Sequence, residues 1–179
     1  VTHDQAEALA ISDQIAVMHG GTLIEVGAPH QLYSRPTRRF TATFLGLTNL
    51  IDGKIIELNG DGQPGKIQTK KGLLSFIPAP GLKKDQAAVI SIRPENIPLF
   101  KDPPQGLENV LEGKVTEAVF MGDSYQCKVA VGDDILAVHT HPFNAVNPGD
   151  KVYLQLDPAS CNGLPADDRE GVDESMLGD

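Results

Sequence analysis

A chain of 179 residues with 40% hydrophobic content can build one sizeable core, or a small domain plus a piece of another. No apolar run in it nears the roughly 18 residues needed to cross a bilayer as a helix, and no basic-then-apolar leader pattern is visible. The formal charge of -9, with short and scattered cationic runs at Arg35, Arg38–Arg39, Lys70–Lys71 and Lys83–Lys84, argues against nucleic acid as a partner.

The first zone, residues 1–46, mixes helix and strand. Asp4 followed by Glu7 is a helix-start signature, because a capping carboxylate and a back-reaching glutamate can satisfy free N–H groups. Ala6, Leu9 and Ala10 then give an i, i+3, i+4 apolar stripe. The apolar run Ile15–Met18 reads as a buried strand, Gly20-Gly21 as a two-residue turn that needs positive φ, and Leu23–Val26 as the returning strand. Pro29 suits a first helical turn, with Leu32-Tyr33 inside that helix. Phe40 and Phe44 mark one face of a last helix that ends at Gly46.

The second zone, residues 47–158, reads as all-β. Strands are expected at Ile51–Leu58, Leu73–Ile77, Ala87–Ile92, Gly113–Phe120, Tyr125–Val131, Ile135–His141 and Lys151–Leu156. Gly, Asn and Pro turn signals separate them, and many short strands so punctuated imply a small barrel or sandwich. The stretch from Lys101 to Gly106, with Pro103-Pro104, reads as a loop between two halves. The third zone, residues 159–179, is acidic and aperiodic and reads as a disordered tail.

Candidate chemical groups are few. Cys127 and Cys161 lack metal-ligand spacing and read as reduced thiols. His139 and His141 alternate along a strand, about 7 Å apart on one face, but no third metal ligand is evident. Arg93-Pro94-Glu95 ends a strand, where an arginine either binds an anion or pairs with a nearby carboxylate. Glu112 and Glu117, an odd number of residues apart, should point to opposite faces, which argues against a carboxylate pair. Asp133-Asp134 reads as a solvated turn.

The opening run Val1-Thr2-His3-Asp4-Gln5-Ala6-Glu7-Ala8-Leu9 resembles the switch-histidine motif of ABC transporter ATPases. The match continues collinearly through Ile11-Ser12-Asp13, Ile15-Ala16-Val17-Met18, Gly21-Thr22-Leu23-Ile24, Val26-Gly27-Ala28-Pro29, Leu32-Tyr33, Arg35-Pro36, Phe40 and Phe44-Leu45-Gly46. The β zone looks like the TOBE domain, an oligonucleotide/oligosaccharide-binding-like (OB-like) barrel that some of these importer subunits carry. The residues behind that likeness are Ser91-Ile92-Arg93-Pro94-Glu95, Met121-Gly122-Asp123, Pro148-Gly149-Asp150-Lys151-Val152 and Asp157-Pro158.

The resemblance implies a mainly β fold, an OB-like TOBE barrel preceded by a small α/β remnant of an ATPase domain. It implies a parent protein that couples ATP and Mg to solute uptake, with Thr48-Asn49-Leu50 pointing to the polyamine, iron(III) or related inorganic-ion importers rather than the sugar importers, and to the polyamine type among them. It also implies a homodimer contact through the β zone, integral-membrane permease subunits as partners, and a position on the cytoplasmic side of the inner membrane. His3 would be the catalytic switch histidine, able to stabilise charge developing on the γ-phosphate.

The phosphate-cradling G-x-x-x-x-G-K-[ST] loop does not occur in these 179 residues. A lone histidine offers one hydrogen bond worth on the order of 1 kcal/mol net, which cannot hold ATP. The expectation is therefore a truncated, non-catalytic piece, with no cofactor or metal of its own, that serves dimerisation or regulation. A free-standing module for a small oxyanion is the alternative. The apolar faces of the first and last helices predict that residues 1–46 are disordered, rearranged, or buried against another copy.

Overall fold

The computed structural model describes residue 2, residues 4–60 and residues 62–167. Asp4 caps α1 (Gln5–Ile11), its side chain accepting from the Glu7 N–H at 3.0 Å. Glu7 does not close the reciprocal bond. The Asp4 N–H donates to Thr2 Oγ1 at 3.0 Å, and Thr2 donates in turn to Glu7 at 2.9 Å, so a threonine stands between them.

β1 (Ile15–His19) and β2 (Thr22–Gly27) pair around Gly20-Gly21, whose φ values of 56° and 83° belong to the turn their sequence requires. Val17, Leu32 of α2 (Pro29–Ser34) and Leu45 make a small core of their own, with Ile15, Ile24, Tyr33 and Phe40 against it. In α3 (Arg39–Phe44) Phe40 and Phe44 stack at 5.4 Å, but the buried face is Thr41 and Ala42.

That face corrects the expectation for this segment. Ala42 packs on Val89 and Leu164 of the β region, so residues 15–45 are ordered against their own chain. α3 finds cover on the barrel of its own chain, while Ile11, Met18, Leu23 and Val26 of the first zone stay exposed. α1, by contrast, buries no residue.

The β region has two sheets. β3 (Asn49–Glu57), β4 (Gly65–Thr69), β5 (Gly72–Pro78), β6 (Ala87–Ile92) and β12 (Asn162–Pro165) close into a five-stranded barrel. β7 (Leu99–Phe100), β8 (Val110–Phe120), β9 (Tyr125–Val131), β10 (Asp134–Thr140) and β11 (Lys151–Gln155) form a second sheet in the order β10-β9-β8-β11-β7. One core, from Ile51 and Phe76 to Val129 and Leu156, joins the two. The fold is mainly β with an OB-like barrel.

The two sheets repeat one design. Asn49-Leu50-Ile51-Asp52-Gly53-Lys54-Ile55 opens β3, and Asn109-Val110-Leu111-Glu112-Gly113-Lys114-Val115 leads through β8. In each, the strand bulges just after the motif, at Ile55/Glu57 and at Val115/Glu117. Each glycine also meets its neighbour strand closely: a Cβ would lie 2.6 Å from the Gln68 carbonyl at Gly53 and 2.6 Å from Val129 at Gly113.

The halves also exchange their last strands. β7, which follows the barrel strand β6, pairs with β11, and β12, which follows β11, pairs with β6. β12 pairs in addition with β5 and shuts the barrel, whereas β7 pairs with β11 alone. The difference is steric. Gly163 lies so close to the Phe76 ring that a Cβ would sit 2.2 Å from it, and β7 carries Leu99 at the matching place.

β12 also corrects the expected tail. Residues 161–165 are buried, with Cys161 and Leu164 fully so, and Pro158–Ser160 forms a 3-10 turn before them. A four-residue Asn-Gly-Leu-Pro strand has no periodicity to read, so only its place in the barrel makes it a strand. Residues 168–179 lie outside the described residues.

Candidate functional site

The densest polar constellation lies where the first zone meets the barrel. Arg93, at the end of β6, is 4% exposed. Its Nε and Nη2 donate to the Tyr33 carbonyl at 3.3 and 3.2 Å, and its Nη1 donates to the Gly46 and Leu47 carbonyls at 2.9 and 3.1 Å. These carbonyls lie at or just beyond the C-terminal ends of α2 and α3, where helices leave acceptors unsatisfied and favour a cation. The guanidinium also stacks over the Tyr33 ring, 4.1 Å from its centroid.

The sequence reading offered Arg93 an anion or a carboxylate. Its hydrogen bonds go instead to main-chain carbonyls converging from two chain segments, which a planar five-donor fork fits well. Glu95 instead accepts from the Tyr33 hydroxyl at 2.7 Å. Burial pulls the Arg93 guanidinium below its ordinary value, and burial, then the bond to Glu95, raises the Tyr33 phenol.

Two more arginines fasten the same joint. Arg35 donates to Asn162 Oδ1 at 3.2 Å and to the Ala159 carbonyl at 2.6 Å, while Asn162 Nδ2 donates back to the Ser34 carbonyl at 2.8 Å. Arg39 donates to the Ala166 carbonyl at 3.0 Å. Beyond Leu47 the Thr48 and Ser91 hydroxyls are 2.8 Å apart. Asn49 then donates to the Ala137 carbonyl at 2.8 Å and accepts from the Ala137 N–H at 2.7 Å, so a side-chain amide stands in for a partner strand on the edge of β10. Asn109 does the same for Ser75 on β5, at 2.7 and 2.8 Å.

Other sequence candidates fare differently. His3 lies outside the described residues. His139 lies on β10, while His141 follows the strand and meets the Phe143 ring in a tilted contact, centroids 5.2 Å apart. Among the described residues no group of three or more His, Cys, Asp or Glu side chains is placed to hold a metal ion. Glu112 and Glu117 both sit on the exposed face, against expectation, because the bulge resets the alternation between them. Each is paired, with Lys151 and Lys128 respectively, at 2.9 Å.

Asp134 is not simply solvated either. It bonds to the nearly buried Lys71 ammonium, which also donates to the Val131 carbonyl at 3.0 Å, and that bond holds the Asp134 carboxyl below its ordinary value. Cys127 and Cys161 are buried free thiols.

A groove of about 930 Å³ runs between Thr37-Arg38 and the loop Pro80–Gln86, and its lining holds no Ser, Cys or His. The hydrogen bonds of Arg93, Arg35, Arg39 and Asn49 fasten chain segments to one another.

Comparison with known proteins fits this arrangement. Residues 90–164 match the TOBE domain. The match starts in β6 and runs through Arg93, the whole second sheet and most of β12. The spermidine/putrescine import ATP-binding protein PotA of Trichormus variabilis is 41% identical over 151 residues, covering 80% of this chain and 38% of its own length. The putrescine transport ATP-binding protein PotG of Escherichia coli is 32% identical over 172 residues, covering 90% of this chain and 44% of its own. Both relatives are named as ATP-binding proteins of polyamine import or transport, and the chain spans less than half the length of either.

The cytoplasmic molybdate-binding protein ModG, solved with molybdate bound, superposes with a TM-score of 0.57 at 12% identity, covering 63% of this chain and 92% of that one. That likeness shows the fold alone.

Proposed function

We propose that this chain is the C-terminal part of the ATP-binding subunit of an ABC importer for polyamines, and that its TOBE region serves assembly and regulation. The observation that carries the reading is the identity to polyamine-import ATP-binding subunits over 80–90% of the chain. On this reading residues 1–46 belong to the ATPase domain and residues 47–167 to the β domain, with the boundary welded by Arg93. His3 takes the switch position, facing the γ-phosphate of ATP bound with Mg by residues of the parent that precede Val1. The working protein is a homodimer seated on permease subunits at the cytoplasmic face of the membrane. No helix among the described residues is long and apolar enough to cross that membrane itself.

The coding sequence upstream of Val1 tests the assignment. A glycine-rich phosphate loop followed by an acidic strand end and an LSGGQ-type signature supports it, and their absence there overturns it. The purified 179-residue chain is expected not to turn over ATP; magnesium-dependent hydrolysis by it would refute the placement of the phosphate site outside the chain. Sedimentation velocity checks the homodimer, and a chain that stays monomeric as its concentration rises would remove that element.

A further inference from the structure

We propose that Arg93 is a coupling residue: a continuous polar relay runs from the C-terminal ends of α2 and α3, through Arg93 and the Leu47–Asn49 backbone, to the edge of β10, so that loosening the first zone frees that edge. The inference is independent of the transport reading, because it concerns this chain's own bonds. The relay has no gap. Arg93 grips the carbonyls of Tyr33, Gly46 and Leu47 at 2.9–3.3 Å. The next residue, Thr48, is held through its hydroxyl to Ser91, two positions before Arg93 on the same strand, at 2.8 Å. The next, Asn49, is anchored to the Ile92 carbonyl at 3.3 Å and delivers both amide groups to Ala137. Consecutive residues 46–49 are thus fixed by consecutive contacts with residues 91–93.

The far end is the outer strand of its sheet, lying beside the 3-10 turn Pro94–Asn96 that follows Arg93. β10 pairs with β9 on one side only, and its other edge meets no strand. Ala137 turns its N–H and carbonyl outward to Asn49, so the strand's two-residue period also turns the His139 groups outward, where no side-chain amide meets them. An edge with open donors and acceptors is where a partner strand adds or where a sheet frays. Asn49 therefore caps this edge at Ala137, and Arg93, together with the β3–β6 pairing of Asn49 and Ile92, holds the segment that places it.

The equivalent device in the other half lacks the relay. Asn109 closes β5 at Ser75, but it follows the Lys101–Gly106 loop and Leu107-Glu108, and no arginine grips that approach. The Asn49 edge is wired to the first zone through Arg93, whereas β5 reaches that zone by a different route, through β12 and Arg35.

The test is amide hydrogen exchange, read residue by residue in the full 179-residue chain. Arg93→Lys keeps the charge but cannot span carbonyls from two segments. Exchange is expected to rise about tenfold at the Ala137 N–H together with the amides of residues 33–47, while core amides such as Val129 keep their protection. Coupling is reciprocal, so Asn49→Ala should speed exchange at residues 46–48 as well as at Ala137. If Arg93→Lys loosens residues 33–47 and leaves Ala137 at its wild-type rate, the relay does not exist and Arg93 is a local clamp. Should Arg93→Lys fail to fold, Ser91→Ala removes a single hydroxyl from the middle of the relay. Faster Ala137 exchange in it supports the proposal, and an unchanged rate overturns it.

Discussion

A single buried side chain can carry a pH dependence that its sequence context hides. Cys161 stands in a stretch that reads as an acidic tail, yet it is fully buried, and burial, then the nearby Asp157 charge, push its thiol from 9.0 to about 12. A folded-state value raised above the unfolded one means that the neutral thiol stabilises the fold. That contribution is whole below pH 9, and it is lost as pH rises toward 12. The gap in urea midpoint between wild type and Cys161→Ala should therefore narrow between about pH 8.5 and about pH 11. A gap that stays constant would mean the thiol is not desolvated as the fold places it. Arg93 shows the complementary case, since its place at a strand end was legible while its partners were not. A main-chain carbonyl is present at every residue and marks no position, so a ligand sphere made of three carbonyls leaves no trace in the amino-acid pattern.

At the scale of elements, legibility followed the amount of periodic apolar sequence. The β1–β2 hairpin and the long strands β3, β8, β9 and β10 each offer alternation over five or more residues, and Gly20-Gly21 prescribes its own turn. β4 offers one large apolar residue, Ile67, and was invisible although it is central to the barrel. β7 and β12 are two and four residues long, too short for a period. The parity argument for Glu112 and Glu117 failed at a bulge, a one-residue insertion that alternation cannot announce. The signal that would have found the architecture is the repeated Asn-x-x-Asp/Glu-Gly-Lys motif, which marks equivalent positions in β3 and β8. The glycine that closes the barrel gives the test proper to this scale. Gly163→Ala places a methyl 2.2 Å from the Phe76 ring, where neither the ring nor the paired strand can yield freely. The expected cost is about 2 kcal/mol, read as a lower urea midpoint with unchanged slope. A substitution without effect would mean that β12 is not seated against β5.

The whole molecule is one cooperative object rather than two sheets joined by a loop, because each half is completed by the other's terminal strand. The core runs without a break from Ile51 in β3 to Leu156 beyond β11, and Leu164 of β12 is buried with Val89 of β6 and Ala42 of α3. Arg35 and Arg39 reach Ala159, Asn162 and Ala166, so the last described residues are tied to the first zone as well as to the barrel. Where the chain is cut then matters more than how much is cut. Ending it after Asp167 keeps every one of these contacts, and its midpoint of thermal unfolding should match wild type. Ending it after Ser160 removes the closing strand, the buried Cys161 and Leu164, and one partner each of Arg35 and Arg39. With β5 and β6 left as open edges and Phe76 uncovered, the loss of the buried Leu164 and Cys161 side chains alone costs about 4 kcal/mol, a large share of the stability of a domain this size. Circular dichroism and fluorescence should report one coincident transition for the longer chain and, for the shorter one, either no folded state or a transition shifted down as a unit. If the shorter chain lost only a barrel signal while the second sheet unfolded at its wild-type temperature, the halves would be independent and the exchange of terminal strands would carry no cooperativity.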